Sequence, residues 1–227
     1  MLLIDVAAVA RTIDGWLSEP QGRALYHAAK MTRGRGVIVE IGSWKGRSTV
    51  WLAAGAQAVG RRIYAIDPHC GSRENPAANT LAEFQENIRR AGLADVVEPL
   101  VMTSIEAAAT IADPVELLFI DGDHSLQGAR QDAEIWLPRL VCGGVVLMHD
   151  VGAAGYVGPR DAFRRMVCWN RGFHRIRRIG SMGLAYRTER RGLAGAAWGA
   201  AAGALLYFYD LKRWFGGWRR DCSTGTT

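Results

Sequence analysis

The chain has 227 residues, of which 49% are hydrophobic, so it is long and apolar enough to bury one good core with short appendages. Its formal net charge is +6, but seven Lys or Arg residues against three acidic residues lie between Arg187 and Asp221. The basic character therefore belongs mainly to a C-terminal tail, and a nucleic-acid-binding body is not indicated.

The N-terminal segment, MLLIDVAAVARTIDGWL, lacks the basic start, unbroken apolar run and small-residue cleavage site of a secretory signal. We therefore expect a cytoplasmic protein. The cysteines are far apart and form no CxxC pair, which favours structural thiols over a zinc site or a disulfide framework. They are Cys70, Cys142, Cys168 and Cys222.

Apolar residues recur at a spacing of three or four through residues 3–32, which predicts helices before the first strand. Pro20 is expected to interrupt the helical pattern, with a second helix from about Gln21 to Met31. These helices could pack on the sheet or form a lid over a cofactor. We divide the chain into an N-terminal helical cap (1–32), a main domain (33–187) and a basic tail rich in Gly, Ala and Trp (188–227).

The stretch Val37 to Val50, VIVEIGSWKGRSTV, predicts a buried parallel strand, a glycine turn and the start of a helix. Gly42 and Gly46 bracket a turn in which backbone amides can approach a ligand, and the hydroxyls of Ser48 and Thr49 are expected to cap free helix amides. The stretch suits a cradle for a nucleotide-like cofactor. An ordinary strand-to-helix turn is the alternative.

The second strand, Arg62 to Ile66, ends in Asp67-Pro68-His69, roughly 25 residues after the glycine turn. Nucleotide-binding α/β folds place a ribose-binding carboxylate at this position. Asp67 before a proline could equally be a turn starter. A polar loop (71–78) and an amphipathic helix from Thr80 to Ala91 follow.

The third predicted strand, Val96 to Val101, contains Pro99, which favours an edge position. The helix after it, Ile105 to Ile111, begins behind Ser104. Ser104 would lie near the adenine of a bound nucleotide, or it could be no more than a helix cap.

Two neighbouring strands deliver ionisable residues to one edge of the sheet. Leu117 to Ile120 leads into Asp121, Gly122, Asp123 and His124, while Val145 to Met148 leads into His149 and Asp150. The carboxyl ends of parallel strands meet at the ligand-binding edge, and paired carboxylates there suit Mg²⁺. Asp123 could instead cap the next helix, predicted from Gln127 to Leu137, and either histidine could be an ordinary hydrogen-bonding residue.

The remaining elements complete an α/β fold. Cys142-Gly143-Gly144 is predicted as a turn, residues 151–160 as a mobile glycine-rich loop, and Asp161 to Trp169 as a short helix. Phe173 to Ile179 and Met182 to Arg187 are predicted to form a closing antiparallel pair. The result is a Rossmann-like, largely parallel sheet of about seven strands with helices on both faces.

Three segments carry a family resemblance: VEIGSWKGRST, IYAIDPH and FIDGDHSLQGARQDAEIWLPRLVCGGVVLMHD. In this order and spacing they resemble the class I S-adenosylmethionine-dependent methyltransferases, in particular the Mg²⁺-assisted small-molecule O-methyltransferases called methyltransferase family 24. The likeness runs from about Gly15 to Tyr186. It includes GWLSEPQGRALYHAA, which is similar to the leader of bacterial sugar O-methyltransferases such as those acting on mycobacterial methylmannose polysaccharides.

The resemblance implies a site for S-adenosylmethionine and Mg²⁺. Asp67 would hold the ribose, Ser104 would flank the adenine, and Asp121 and Asp150 would bind the metal. His149 stands where related catechol-type enzymes carry an aspartate ligand, so it would be either a metal ligand or the general base. The residues implied in cofactor binding are Glu40, Gly42, Ser43, Gly46, Ser48, Asp67, Ser104, Asp121 and His124.

The implied activity is methyl transfer to a hydroxyl of a small molecule, with a saccharide favoured and His149 or His124 as the base. A homo-oligomer is expected. The first alternative is an NAD-type oxidoreductase, although GSWKG lacks the GxGxxG spacing. The second is a membrane-recruited binding module with a vestigial pocket.

The tail contains eighteen uncharged residues, Gly192 to Tyr209, framed by arginine and lysine pairs. This length barely reaches a membrane span, and the Gly and Ala content makes it only weakly apolar. The pattern favours a basic helix that lies on a membrane surface or packs in an oligomer. The anchors would be Trp198, Tyr207, Phe208, Trp214 and Trp218.

Overall fold

The computed structural model describes residues 3–71, 79–189, 197 and 199–204. Its described residues form a seven-stranded sheet in the order β3-β2-β1-β4-β5-β7-β6. Strands β1 to β5 are parallel, whereas β7 runs antiparallel to both β5 and β6. The strands are Val37–Ile41 (β1), Ile63–Ile66 (β2), Val97–Leu100 (β3), Val115–Ile120 (β4), Leu140–Met148 (β5), Phe173–Ile179 (β6) and Met182–Arg187 (β7). The predicted sheet, its closing antiparallel pair and the edge position of the strand containing Pro99 are confirmed.

The α-helices lie close to their predicted positions. They are Leu3–Arg11 (α1), Glu19–Lys30 (α2), Arg47–Gln57 (α3), Leu81–Arg90 (α4), Ser104–Thr110 (α5), Leu126–Trp136 (α6) and Val157–Phe163 (α7). The expectation that Pro20 interrupts a helix was wrong, because Pro20 lies in the first turn of α2, where a missing N–H costs nothing. Gln21 Oε1 accepts the N–H of Ser18 at 2.8 Å and closes that helix start.

The predicted turn at Cys142-Gly143-Gly144 was wrong, since these residues belong to β5. Gly143 adopts a left-handed φ of 78°, and the register between β4 and β5 shifts nearby. A Cβ atom on Gly143 would lie 3.0 Å from a guanidinium nitrogen of Arg35. The two glycines therefore form an irregular part of strand β5 that leaves room for the side chain of Arg35. In the sequence, the same glycine pair looks like a turn.

The predicted loop 151–160 and helix Asp161 to Trp169 also need correction, because α7 already begins at Val157 and continues into a wide helical turn at Arg164–Cys168. The buried carboxylate of Asp161 fixes this segment. It accepts hydrogen bonds from Arg130 on α6 at 2.8 Å and from Arg164 and Arg165 at 2.9 and 2.8 Å. This network anchors α7 to α6.

The sheet separates two apolar core clusters, as expected for strands covered on both faces. Ile38, Leu117 and Phe119 face the cluster with α1, α2 and α3, whereas the alternate residues, such as Val39 and Leu118, face the cluster with α5, α6 and α7. The N-terminal helices pack directly on α3. A Cβ on Gly22 would overlap the ring of Trp51, so the close α2–α3 contact requires a glycine there. The division of the chain into three domains remains a prediction.

Glu116 ties the segment before β1 to β4. Its side chain is buried, and its carboxylate accepts the backbone N–H groups of Arg33 at 2.7 Å and Arg35 at 2.9 Å, with the Arg35 guanidinium at 3.4 Å. Burial acts to raise the pKa of Glu116, but these hydrogen bonds outweigh it and hold the pKa below its ordinary value. The carboxylate therefore stabilises the fold in its ionised form.

We expect Glu116→Gln to lower the free energy of unfolding by about 1–2 kcal/mol at pH 7. A depressed folded-state pKa contributes stability above the unfolded pKa of 4.5, and that contribution disappears as the pH falls through the folded-state value. Urea unfolding at pH 7 and at progressively lower pH checks this. Glu98→Gln, at a residue of β3 whose side chain is 44% exposed, is the control and should change little. A deficit for Glu116→Gln that does not shrink in acid contradicts the prediction.

The described part of the tail consists of residues 188–189, 197 and 199–204. Residues 199–204 are helical, Ala202 packs against the core cluster around α6 and α7, and a Cβ on Gly203 would lie 2.7 Å from the indole nitrogen of Trp169. The proposed anchors Trp198, Tyr207, Phe208, Trp214 and Trp218, and loop residues 72–78, lie outside the described residues. Cys70, Cys142 and Cys168 are free thiols, and Cys222 is also outside. No helix in the described ranges has the length and apolar character needed to cross a membrane.

Candidate active site

The glycine turn after β1 is pressed against the loop that follows β4. Gly42 and Gly46 have φ values of 84° and 90°, and Trp44 between them has a φ of 44°. A Cβ on Gly42 would overlap the backbone carbonyl oxygen of Asp121. Glycine at position 42 thus allows both the left-handed backbone and the close approach of two loops that carry predicted site residues.

Glu40 is fully buried at the end of β1. Its carboxyl oxygens accept hydrogen bonds from the hydroxyls of Ser48 at 2.5 Å and Thr49 at 2.6 Å. The expectation that these hydroxyls cap helix amides was wrong, because α3 begins behind Gly46 without a side-chain cap. Burial raises the pKa of Glu40 to about 8, against the effect of both hydroxyls. A buried carboxyl with so high a pKa would gain from a cationic ligand.

Ser43 supplies an unsatisfied polar atom inside the turn. Its side chain is buried, and its Oγ has no hydrogen-bond partner among the described residues. A buried hydroxyl without a partner costs free energy that a ligand with polar groups would recover. Together with the glycines and Glu40, this orphaned hydroxyl fits a polar, cationic cofactor such as S-adenosylmethionine.

Asp67 joins the glycine turn to the end of β2. Its Oδ2 accepts the N–H of Trp44 at 2.8 Å, and its Oδ1 accepts the N–H of His69 at 2.7 Å. The bond from the His69 N–H closes a local turn, which is the role that the Asp67-Pro68 sequence allowed as the alternative to ribose binding. The first bond places the carboxylate beside the cradle, so ribose binding by Asp67 remains a prediction with compatible geometry.

Ser104 lies at the start of α5 and donates its hydroxyl to Asp132 Oδ1 at 2.5 Å. The helix cap is Thr103, which forms a capping box with Glu106, so the capping alternative for Ser104 was wrong. Burial raises the pKa of Asp132 to about 6, opposed by the Ser104 hydrogen bond and reinforced by Asp123. No sequence pattern indicated Asp132, because a lone acid within a helix is usually exposed. Adenine contact by Ser104 remains a prediction.

The edge of the sheet at β4 and β5 brings four ionisable side chains together. Ile120 and Met148 are register partners, so the residues that follow them leave the sheet side by side. His149 Nδ1 lies 3.3 Å from Asp121 Oδ1 and 3.2 Å from Asp150 Oδ2. His124 Nε2 lies 3.6 and 3.2 Å from the same two oxygens. We call Asp121, His124, His149 and Asp150 the edge cluster.

The charges of the edge cluster compensate one another. Burial acts to lower the pKa of each histidine, but the two carboxylates overcome it and raise the pKa of both His124 and His149 to about 10. Burial conversely acts to raise the pKa of Asp121 and Asp150, and the histidines reverse it and lower both values. These shifts favour imidazolium–carboxylate pairs within the cluster.

The same atoms can hold a metal ion. Asp121, His124 and Asp150 each offer one ligand atom, and these atoms lie within 4.8 Å of one another. Two carboxylate oxygens suit Mg²⁺, while the imidazole nitrogen also suits Mn²⁺, Fe²⁺ or Zn²⁺. His149, the other predicted ligand, turns Nδ1 to the same carboxylates, and its buried Nε2 has no hydrogen-bond partner among the described residues. The donor set fits a divalent cation.

Asp123 is not part of the edge cluster. Its carboxylate accepts the backbone N–H and the hydroxyl of Ser125, both at 2.8 Å, and Ser125 caps α6. The alternative that Asp123 itself caps the next helix was wrong, because Ser125 is the N-cap of α6 and Asp123 hydrogen-bonds to Ser125.

Tyr156 covers the edge cluster from the segment before α7. Its ring stacks on His124 with a centroid separation of 4.3 Å and an interplanar angle of 22°. A Cβ on Gly158 would overlap the carbonyl oxygens of His124 and Ser125, so the two loops are in close contact. Tyr156 was not among the predicted site residues, because its only signal in the sequence is an aromatic residue within a glycine-rich segment.

Comparison with known proteins decides the family. Residues 39–151 match a family described as "Methyltransferase domain". The match begins within β1 and ends just beyond Asp150, so it encloses both the glycine turn and the edge cluster. The chain belongs to this methyltransferase family.

A catechol O-methyltransferase from Mycobacterium tuberculosis is 33% identical over 154 residues, covering 63% of this chain and 66% of that protein. An uncharacterized protein, y4gI, from Sinorhizobium fredii is 32% identical over 147 residues, covering 60% of this chain but 15% of its own length. This methyltransferase therefore aligns with less than two thirds of either relative.

Solved structures share the fold. The cofactor-bound protein Rv0187 from MTB has a TM-score of 0.63 at 24% identity, with 83% of this chain and 90% of that chain covered. The Bacillus cereus O-methyltransferase solved with SAH has a TM-score of 0.61 at 21% identity, with 82% and 90% covered. The predicted Rossmann-like class I methyltransferase fold is confirmed.

Proposed function

We propose that this methyltransferase moves a methyl group from S-adenosylmethionine to one hydroxyl of a small molecule that carries two neighbouring hydroxyls. The observation that carries the proposal is the edge cluster, which stands beside the glycine turn through the contact of Gly42 with the Asp121 carbonyl. The glycine turn suits the methyl donor, and the edge cluster suits a metal and a hydroxyl acceptor.

The glycine turn would bind the donor. S-adenosylmethionine, when bound, supplies an electrophilic methyl group on a positively charged sulfonium. Glu40 would place its carboxyl toward the positive end of the donor, and the unpartnered Ser43 hydroxyl would gain a polar contact. Ser48 acts through Glu40, since its hydroxyl holds that carboxyl in place. Since the methyl group is already activated, the protein contributes mainly position and proton removal.

Asp121 and Asp150, with His124 or His149, would hold Mg²⁺ or a similar cation. The cation, when bound, lowers the pKa of an acceptor hydroxyl. Of the two histidines, His124 is the better general base, because its side chain is 21% exposed whereas that of His149 is 4% exposed. With both carboxylates engaged by the cation, His124 would lose the interactions that raise its pKa and would be neutral, so its imidazole could take the acceptor proton, while His149 keeps the two carboxylates oriented.

Two acceptor classes meet the requirement for neighbouring hydroxyls. Saccharides are favoured by the leader segment, GWLSEPQGRALYHAA, and catechols are suggested by the name of the mycobacterial relative. We favour a saccharide. Membership of the methyltransferase family argues against the NAD-type alternative, and the binding-module alternative predicts no turnover at all.

A labelled-methyl assay over saccharides and catechols, with Mg²⁺, Mn²⁺ or EDTA, tests the proposal. We expect label in one acceptor class and a loss of at least about 100-fold in EDTA, since the cation stabilises the developing negative charge. Calorimetry with S-adenosylmethionine and NAD runs in parallel. Failure to bind S-adenosylmethionine contradicts the function, whereas transfer that is unaffected by EDTA contradicts only the metal.

Further expectations concern partners and location. We propose a homo-oligomer in the cytoplasm, with peripheral membrane contact through residues 188–227. The membrane contact is supported by the basic and aromatic composition of the tail.

A further inference from the structure

A second concavity lies at the opposite edge of the sheet from the edge cluster. It has a volume of about 460 Å³ and is lined by α2, by the segment before β1, by the first residues of β4 and β5, and by the β6–β7 pair. Strands rise about 3.3 Å per residue, so roughly 15–20 Å of sheet separate it from the edge cluster. We call this cavity the basal pocket.

Four arginines line the basal pocket against one acidic residue. They are Arg33, Arg35, Arg175 and Arg177, and the acid is Glu116. Glu116 is already satisfied by two backbone N–H groups and by Arg35. The guanidinium groups of Arg33, Arg175 and Arg177 have no acidic partner among the described residues. All three belong to exposed residues, so water reduces their mutual repulsion, and their positive charge is accessible to an anion from solution.

One of these arginines is held in a fixed position. Arg35 Nη1 donates to the carbonyl of Cys142 at 2.9 Å while its Nε faces Glu116. The glycine at position 143 leaves the space that this guanidinium occupies. The irregular strand β5 thus places Arg35 at the rim of the basal pocket.

The strand β6 is distorted where it meets the pocket. His174, Arg175 and Arg177 all line the cavity, although neighbouring side chains of a regular strand point to opposite faces. The register between β6 and β7 shifts between His174 and Arg177, and Arg175 has a left-handed φ of 50°. Bulges of this kind re-aim side chains at functional sites. Here the bulge adds a cation to the wall.

The remaining lining is apolar and aromatic, and includes Ala28, Met31, Val145, Leu184 and Tyr186. The volume falls in the range of small-molecule sites. Arginine binds phosphate through paired N–H donors, which distinguishes it from lysine at such sites. An apolar floor beneath several arginines suits a ligand that has both a phosphate and an apolar part.

We propose that the basal pocket binds a phosphate-bearing ligand with an apolar portion, at a site separate from the methyl-transfer site. Two sources share this chemistry, namely a free phosphorylated small molecule and the headgroup of an anionic lipid. Arg33, Arg175 and Arg177 would contact the phosphate, Arg35 would fix the rim, and Tyr186 and Leu184 would contact the apolar part.

The test uses the full chain, with Arg175→Gln/Arg177→Gln and, as a second variant, Arg33→Gln. The matched control is Arg62→Gln/Arg90→Gln, which removes two exposed arginines of the body elsewhere. Calorimetry with inorganic pyrophosphate examines the free source, and sedimentation with phosphatidylcholine vesicles, with and without phosphatidylglycerol, examines the lipid source. Thermal melting and S-adenosylmethionine binding show whether each variant is folded.

We expect the pocket variants to weaken at least one probe by about tenfold, equivalent to about 1.4 kcal/mol, while the control changes it less than twofold. Loss confined to pyrophosphate identifies a free ligand, and loss confined to phosphatidylglycerol vesicles identifies a lipid. S-adenosylmethionine binding should be unchanged in all variants. If neither probe binds, or if the control weakens binding as much as the pocket variants do, the proposal is wrong.

Discussion

Asp121→Ala and Asp150→Ala are each expected to lower the rate of methyl transfer by at least about 1,000-fold, while the affinity for S-adenosylmethionine changes by less than about fivefold. Each carboxylate contacts both histidines of the edge cluster and offers a metal-ligand atom. Removing one therefore dismantles the metal site and takes away a carboxylate that holds both His124 and His149 in place. The donor cradle is built mainly from the β1 turn and should survive.

Single-turnover assays with labelled S-adenosylmethionine measure the transfer rate, and calorimetry measures donor binding. Asp123→Ala is the matched control, because it removes a carboxylate two residues from Asp121 that hydrogen-bonds to Ser125 and lies outside the edge cluster. We expect that control to retain activity within about fivefold. Wild-type activity in Asp121→Ala would remove the edge cluster from the mechanism, and a parallel loss in Asp123→Ala would indicate a general disturbance of the loop.

The sequence predicted those parts of the molecule that depend on periodicity and on strand ends. Runs of apolar residues indicated the positions of the strands. Because neighbouring parallel strands end at the same edge of a sheet, the sequence also predicted that Asp121 and Asp150 lie close together. The pairing of His124 with both carboxylates was not predictable, because it depends on how the loop after Ile120 folds back. Tertiary contacts decide such a loop, and the pattern of residues does not contain them.

Other features were missed because local chemistry allows several partners. Ser48 and Thr49 lie where hydroxyls normally cap a helix, yet both donate to Glu40 instead. The carboxyl of Glu40 is buried, so it would be left without hydrogen bonds if these hydroxyls capped the helix. Gly143 looks like a turn residue, but the guanidinium of a distant arginine fills the space beside it. In each case a partner far away in sequence determines the conformation, so no single stretch of sequence could indicate it.

Gly42→Ala is expected to lower the free energy of unfolding by about 3 kcal/mol or more and to weaken S-adenosylmethionine binding at least tenfold. Two costs combine at this position: a left-handed φ of 84°, and overlap of the new methyl group with the Asp121 carbonyl. Relief of that overlap must push the glycine turn away from the loop after β4. The donor cradle and the edge cluster would then separate.

Gly60→Ala isolates the first of these costs, because Gly60 also has a positive φ, 66°, but a Cβ there would meet nothing within 4 Å. A left-handed backbone alone costs about 1–2 kcal/mol, so Gly60→Ala should lose that much stability and leave donor binding intact. Urea unfolding and calorimetry on both variants give the difference between them, which reports the contact of the two loops.

Equal losses in the two variants would mean that backbone conformation, and not the approach of Asp121, requires glycine at position 42. The contact between the donor turn and the metal-binding edge would then be incidental to the site. A larger loss in Gly42→Ala, accompanied by loss of donor binding, would instead show that one backbone contact sets the distance between donor and acceptor.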